Sequence, residues 1–196
     1  GVWATNTPGV YCQATADLTL AFLLCLARRV LSADAFVRSG NWEQFQPGVW
    51  DGDLLEGRTL GIIGYGRIGQ AVARRARAFG MTIAYHGRSP SDEPGYRSLD
   101  TLLQEADYVS LHVPLTPETR GLMNRMRFGQ MKRGAYFLNM ARGKTMIEAD
   151  LVEALACGQL AGAALDVFED EPKVHPKLRS MPNVVLAPHI GGGTHQ

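Results

Sequence analysis

Three residues able to hold an anion or move a proton follow short apolar runs in the last third of the chain. Arg142 lies in Asn139-Met140-Ala141-Arg142-Gly143, Glu171 in Asp166-Val167-Phe168-Glu169-Asp170-Glu171-Pro172, and His189 in Ala187-Pro188-His189-Ile190-Gly191-Gly192. A cation, a carboxylate and an imidazole thus leave successive strand ends, where open α/β sheets gather their ligands. The arginine suits a carboxylate and the polarisation of a carbonyl beside it. The histidine suits proton delivery to the oxygen of that carbonyl. The glutamate suits the other imidazole nitrogen, fixing its orientation and favouring its charged form. Singly, each residue has a plainer reading as a turn or loop residue.

The context that joins them is upstream. Leu60-Gly61-Ile62-Ile63-Gly64-Tyr65-Gly66-Arg67-Ile68-Gly69 contains GxGxxG at Gly64, Gly66 and Gly69. The motif follows a predicted strand and opens a predicted helix, the setting in which it marks a dinucleotide site. Gly64 permits the tight turn, Gly66 leaves room for a pyrophosphate, and Gly69 allows close helix–strand packing. The helix start offers free N–H groups and partial positive charge to the phosphates. With a nicotinamide as hydride source, the trio reads as machinery for reducing a 2-keto acid. The next strand ends Tyr85-His86-Gly87-Arg88-Ser89, with no carboxylate for a free ribose 2′-hydroxyl; Asp92 and Glu93 come too late. Arg88 and Ser89 suit a 2′-phosphate, so NADP(H) is favoured over NAD(H). The plainer reading of Arg88 is a solvated loop residue.

Positioning these groups requires an alternating chain. The pattern predicts strands over 59–63, 81–85, 108–111, 135–139, 161–166 and 184–186, with helices over 66–79, 98–106, 124–131 and 148–157 between them. On the helix at 66–79, Ile68, Val72 and Phe79 form the inward face and Arg74, Arg75 and Arg77 lie away from it. A long, mostly buried helix is predicted over 14–33, an extended start near 2–4, a turn at 6–9, and a loop over 40–57 carrying Trp42, Phe45, Pro47 and Trp50. The fold class is therefore α/β, a doubly wound parallel sheet of the Rossmann type. One dinucleotide-binding domain spans 1–196, with 1–13 and 187–196 near hinges to a substrate domain missing from this chain, which reads as a fragment.

Composition agrees. The 196 residues are 45% hydrophobic and 20% charged, with a net charge of +1. That excludes disorder and gives no electrostatic reason to expect nucleic acid or an anionic membrane as partner. The longest apolar run, Leu18 to Leu26, is too short to span a bilayer. Cys12, Cys25 and Cys157 form no CxxC pair and read as reduced, buried thiols of a cytoplasmic protein, an organelle after presequence removal being the alternative. No metal-ligand spacing is present.

These segments resemble the D-isomer-specific 2-hydroxyacid dehydrogenase family, most closely its glyoxylate/hydroxypyruvate reductase-like branch. The resemblance begins at Asn6-Thr7-Pro8-Gly9-Val10 and Ala16-Asp17. It continues through the glycine turn and His112-Val113-Pro114-Leu115-Thr116 to the three late segments, in the family's order. It implies that Arg142 is the catalytic arginine, Glu171 the acid paired with histidine, and His189 the proton donor and acceptor. It places Arg67 and Ile68 against the pyrophosphate, and Val113, Pro114 and Thr119 near the adenosine and nicotinamide ribose. Met140 and Ala141 fall beside the nicotinamide, and Asp166 on its amide. His86, Gly87, Arg88 and Ser89 are similar to the tail of NADP-using members. Met146 replaces a common valine, a mild apolar change. The resemblance also implies a small 2-keto acid or D-2-hydroxy acid substrate and a homodimer formed through 14–33 and the aromatic loop. Activity belongs to the intact protein, since neither part of the substrate domain that the resemblance implies is present in this chain. Two alternatives share the fold: an NAD(H)-responsive corepressor-like binding protein, and another member such as phosphoglycerate or formate dehydrogenase.

Overall fold

A computed structural model describes residues 9 and 11–194; the predicted extended start at 2–4 and most of the turn at 6–9 lie outside them. Six strands form one all-parallel sheet: β1 (Thr59–Ile63), β2 (Thr82–His86), β3 (Tyr108–Leu111), β4 (Ala135–Asn139), β5 (Leu160–Leu165) and β6 (Val184–Leu186), in the order β2-β1-β3-β4-β5-β6. The order reverses between β1 and β3, opening a crevice at their C-terminal ends. Strand residues are buried on both faces, as crossover helices require.

Alternation along each strand divides the core in two. Leu60, Ile62, Tyr108, Leu138 and Ala164 face α1 (Cys12–Arg28) and α3 (Arg67–Ala78). Ile63, Val109, Leu111, Phe137 and Leu165 face α4 (Leu99–Glu105), α5 (Arg125–Gln130), α6 (Glu148–Ala156) and α7 (Pro176–Ser180). Gly61 is required by this packing, because a Cβ there would lie 2.6 Å from Leu102 Cδ2. Helix starts are set by side chains as well as by pattern. Ser98 Oγ accepts the Thr101 N–H at 3.2 Å and Asn124 Oδ1 that of Arg127 at 3.2 Å, replacing helical bonds those amides lack.

The predicted helix over 14–33 is instead two helices, α1 and α2 (Val30–Arg38), broken at Arg29, whose φ is 53°. The cause is tertiary. Arg29 Nη1 donates to Val49 C=O at 2.9 Å and its guanidinium lies 5.0 Å from the Trp50 ring centroid. Thus the loop at 40–57 holds the break, and α2 buries no residue. Three smaller departures follow from local exposure. Phe79 ends α3 43% exposed rather than packed inward. Cys157 is exposed at the end of α6, and Cys12 and Cys25 are only half-buried. Helix α7 and a short 3-10 turn at Gly143–Thr145 are not predicted by the pattern; each is brief and carries little periodicity. No described helix is long and apolar enough to cross a membrane.

Candidate functional site: a glycine-lined crevice and a histidine–glutamate pair

The crevice at the β1/β3 switch encloses about 1040 Å³. Of the residues singled out by sequence, Gly64, Gly66, His86, Gly87, Arg88, Ser89, Val113, Pro114 and Thr119 line it. The three glycines differ as their proposed roles require. Gly64 has φ 98°, and a Cβ on it would lie 2.6 Å from His112 C=O. A Cβ on Gly69 would overlap Gly64 C=O. A Cβ on Gly66 would meet nothing within 4 Å and would occupy the crevice itself. Helix α3 begins there with no side-chain cap, its first helical bond running from Gln70 N–H to Gly66 C=O at 2.9 Å. The earlier amides, of Arg67, Ile68 and Gly69, precede the first helical bond and so have no helical acceptor; these three residues follow Gly66 but lie outside the lining of the crevice. Arg67 is exposed and Ile68 half-buried at this helix start. The residues present fit a dinucleotide.

At the crevice's outer end His86 Nδ1 donates to Arg97 C=O at 3.1 Å, which orients the ring. Arg88 and Ser89 are exposed at the rim. Facing them, Thr116, backbone bonding and the Arg88 charge hold the Glu118 carboxyl below its ordinary range. Thr119 Oγ1 donates to Pro114 C=O at 2.6 Å and accepts the Thr116 N–H at 2.8 Å, which folds the loop after β3 into a wall. His112 Nε2 lies 2.8 Å from Ser110 Oγ, and burial pushes the imidazole down to about 4, so it stays neutral.

The second cluster forms where β4, β5 and β6 end. His189 Nδ1 donates to Glu171 Oε2 at 2.9 Å, which leaves Nε2 free for another partner. Glu171 Oε1 accepts the Phe168 N–H at 3.0 Å. Partial burial opposes ionisation of Glu171. The bonds from His189 and Phe168 and the charges of His189 and Arg142 overcome it, holding the carboxyl below its ordinary range. Arg142 is exposed, its Nη1 donating to Ala141 C=O at 2.7 Å.

His189 has φ 57°, a conformation non-glycine residues seldom adopt. It is held by the two amides that follow: Ile190 N–H donates to Asp166 Oδ1 at 2.8 Å and Gly191 N–H to Asp166 Oδ2 at 2.7 Å. Thr15 Oγ1, from α1, donates to Gly191 C=O at 3.0 Å. Burial raises the Asp166 carboxyl above its ordinary range despite those two amides and the His189 charge; the Glu171 charge adds to the rise. Asp166 therefore anchors the histidine loop, a task sequence reasoning does not assign it. Met140 and Ala141 are buried at the end of β4 and, like Asp166, lie outside the lining of the crevice.

Sequence reasoning also passes over Asn139. Its buried amide donates from Nδ2 to Arg142 C=O at 3.3 Å and accepts the Ala141 N–H at 3.0 Å, so it shapes the turn that presents Arg142. An asparagine closing an apolar strand just before Arg-Gly is the available signal.

An open parallel sheet with a glycine-lined switch-point crevice defines a Rossmann-type dinucleotide-binding domain. The family model described as "D-isomer specific 2-hydroxyacid dehydrogenase, NAD binding domain" matches residues 20–191, and the chain belongs to that family. Among its relatives, the glyoxylate reductase of Thermococcus litoralis is 48% identical over 206 residues, covering 100% of this chain and 62% of that protein. The crystal structure of the TT0316 protein from Thermus thermophilus superposes with a TM-score of 0.92 at 54% identity, over 96% of this chain and 61% of that one. The NADPH-dependent glyoxylate/hydroxypyruvate reductase of Sinorhizobium meliloti, solved with NADP and malonate, gives 0.91 at 40% identity, over 97% of this chain and 61% of that one. The chain thus spans about three fifths of the length of the relatives it matches.

Proposed function

We propose that the protein of which this chain forms the nucleotide-binding part reduces a small 2-keto acid, of the glyoxylate or hydroxypyruvate type, to the D-2-hydroxy acid with NADPH. The observation that carries this reading is the 2.9 Å bond between His189 Nδ1 and Glu171 Oε2, made beside Arg142. An imidazole held by a carboxylate on one nitrogen and free on the other is suited to proton delivery.

Bound NADPH would supply the hydride to the carbonyl carbon. The open space at Gly66 and the amides that start α3 would receive its diphosphate. Arg88 and Ser89 would bind the 2′-phosphate, in competition with the Arg88–Glu118 attraction across the rim. Asp166 would meet the nicotinamide amide, and Met140 and Ala141 would back the ring. Arg142 would hold the substrate carboxylate and polarise its carbonyl. The proton goes from His189 Nε2 to the carbonyl oxygen as that oxygen gains charge. Glu171 stabilises the imidazolium beforehand and keeps its Nδ1 proton in place.

The decisive test is a pair of titrations, NADPH against NADH, followed by a panel of 2-keto acids with the full-length protein. Tighter binding of NADPH and turnover of glyoxylate or hydroxypyruvate are the expected results. NADH binding at least as tightly as NADPH would defeat the assignment of Arg88. Lack of turnover on every 2-keto acid would defeat the reductase reading.

The aromatic loop supports a homodimer as part of the same proposal. Trp42 and Phe45 are exposed, and with Phe36 and Trp50 they border a groove of about 260 Å³ beside α2, a helix with no buried residue of its own. The three cysteines, none in a disulfide, fit a reducing compartment such as the cytoplasm.

A further inference from the structure

We propose that Glu148 is a positioning residue whose carboxylate clamps both flanks of the loop that presents Glu171 to His189. The inference rests on the reading of Glu171 and His189 as the proton-transfer pair.

An acidic residue at a helix start is ordinarily explained by the helix dipole and left in water. Glu148 opens α6 yet is 6% exposed. One of its oxygens accepts the Glu169 N–H at 2.6 Å and the other accepts the His175 N–H at 3.3 Å. Glu169 answers in kind: its Oε2 accepts the N–H of Glu148 at 3.0 Å, an amide with no helical partner. Between the two anchored amides the chain makes a tight turn closed by Lys173 N–H to Asp170 C=O at 2.9 Å, and Glu171 sits inside that turn. Phe168, whose N–H bonds Glu171 Oε1, immediately precedes the anchored Glu169. Any drift of residue 169 therefore reaches Glu171 through both the chain and that bond.

A buried carboxylate is costly unless its oxygens are bonded, so packing alone does not account for one here. Nor does charge pairing: among the described residues no ion pair reaches Glu148. The carboxylate borders a cavity of about 870 Å³ whose other charged or titratable groups are Arg120, Lys144, Glu169, Asp170, Lys173 and His175. The groups acting on Glu171 itself are His189 and Arg142, with Asp166 nearby. Backbone amides are thus the partners that define the role of Glu148.

Glu148→Gln keeps the shape but turns an NH2 group toward one of the two amides, so one bond is lost. In the full-length protein this variant is expected to raise the titration midpoint of Glu171, followed through its 13C carboxyl signal, by about half a unit. The acid limb of kcat should rise in pH by the same amount, and kcat at neutral pH should fall roughly 3- to 10-fold. The dissociation constant for NADPH should stay unchanged. His175→Pro deletes the second donor while suiting the local φ of −53°, and it should shift Glu171 in the same direction. If Glu148→Gln does not fold, the His175 variant decides. A lower melting temperature with an unmoved Glu171 titration would overturn the proposal and leave Glu148 a brace of the fold. If the unaltered protein reduces no 2-keto acid, the carboxyl titration still gives its answer, so failure of the catalytic reading and failure of the clamp are distinguishable.

Discussion

At the residue scale, the proposed proton transfer depends on one nitrogen of His189 being free and the other being held by Glu171. Replacing His189 with Ala removes the proposed proton donor and should lower kcat of the full-length protein by roughly 10²–10⁴-fold with little change in NADPH affinity, measured by steady-state kinetics and fluorescence titration. Glu171→Gln keeps an acceptor but loses the charge. Turnover should fall roughly 10- to 100-fold, since bonds to charged groups are worth about 1.5–3 kcal/mol. Because the folded protein holds Glu171 below its ordinary range, the ionised form contributes stability above the unfolded pKa, and that contribution is lost as pH falls through the folded one. Turnover of the unaltered protein should fall in the same acidic window, and the Gln variant should lack that limb. At the crevice rim, Arg88→Ala should weaken NADPH by about tenfold while leaving NADH alone, the modest size reflecting an exposed guanidinium.

At the element scale the glycine corner separates folding from binding. Gly69→Ala forces helix α3 off β1, because the added carbon overlaps Gly64 C=O; a loss of about 1–3 kcal/mol in stability is expected by calorimetry. Gly66→Ala, with φ −79° and open space around it, should fold normally yet bind NADPH poorly. Most elements are legible in the sequence because strand and helix periods alternate cleanly from Thr59 onward. The break at Arg29 is not. Arginine has no preference for a left-handed backbone, and the cause lies at Val49 and Trp50, remote in sequence. The buried carboxylates are opaque for a related reason. Glu148 at a helix start and Asp166 after a strand look like ordinary solvated acids until the loops they anchor are seen.

At the scale of the molecule, α2 buries no residue and the loop beside it exposes Trp42 and Phe45. Under the proposed homodimer, replacing both Trp42 and Phe45 with Lys should yield a monomer by light scattering and leave the nucleotide crevice intact, because the two regions share no lining residue. Gly143 carries a different lesson. It lies so close to Phe168 C=O that no side chain of any size fits between the turns following β4 and β5. Those two turns are therefore free to diverge only in concert, as a matched set. Among the described residues the rim at 86–89 makes no hydrogen bond to either turn, so exchanging it should retune which nucleotide is accepted without disturbing the His189–Glu171 pair.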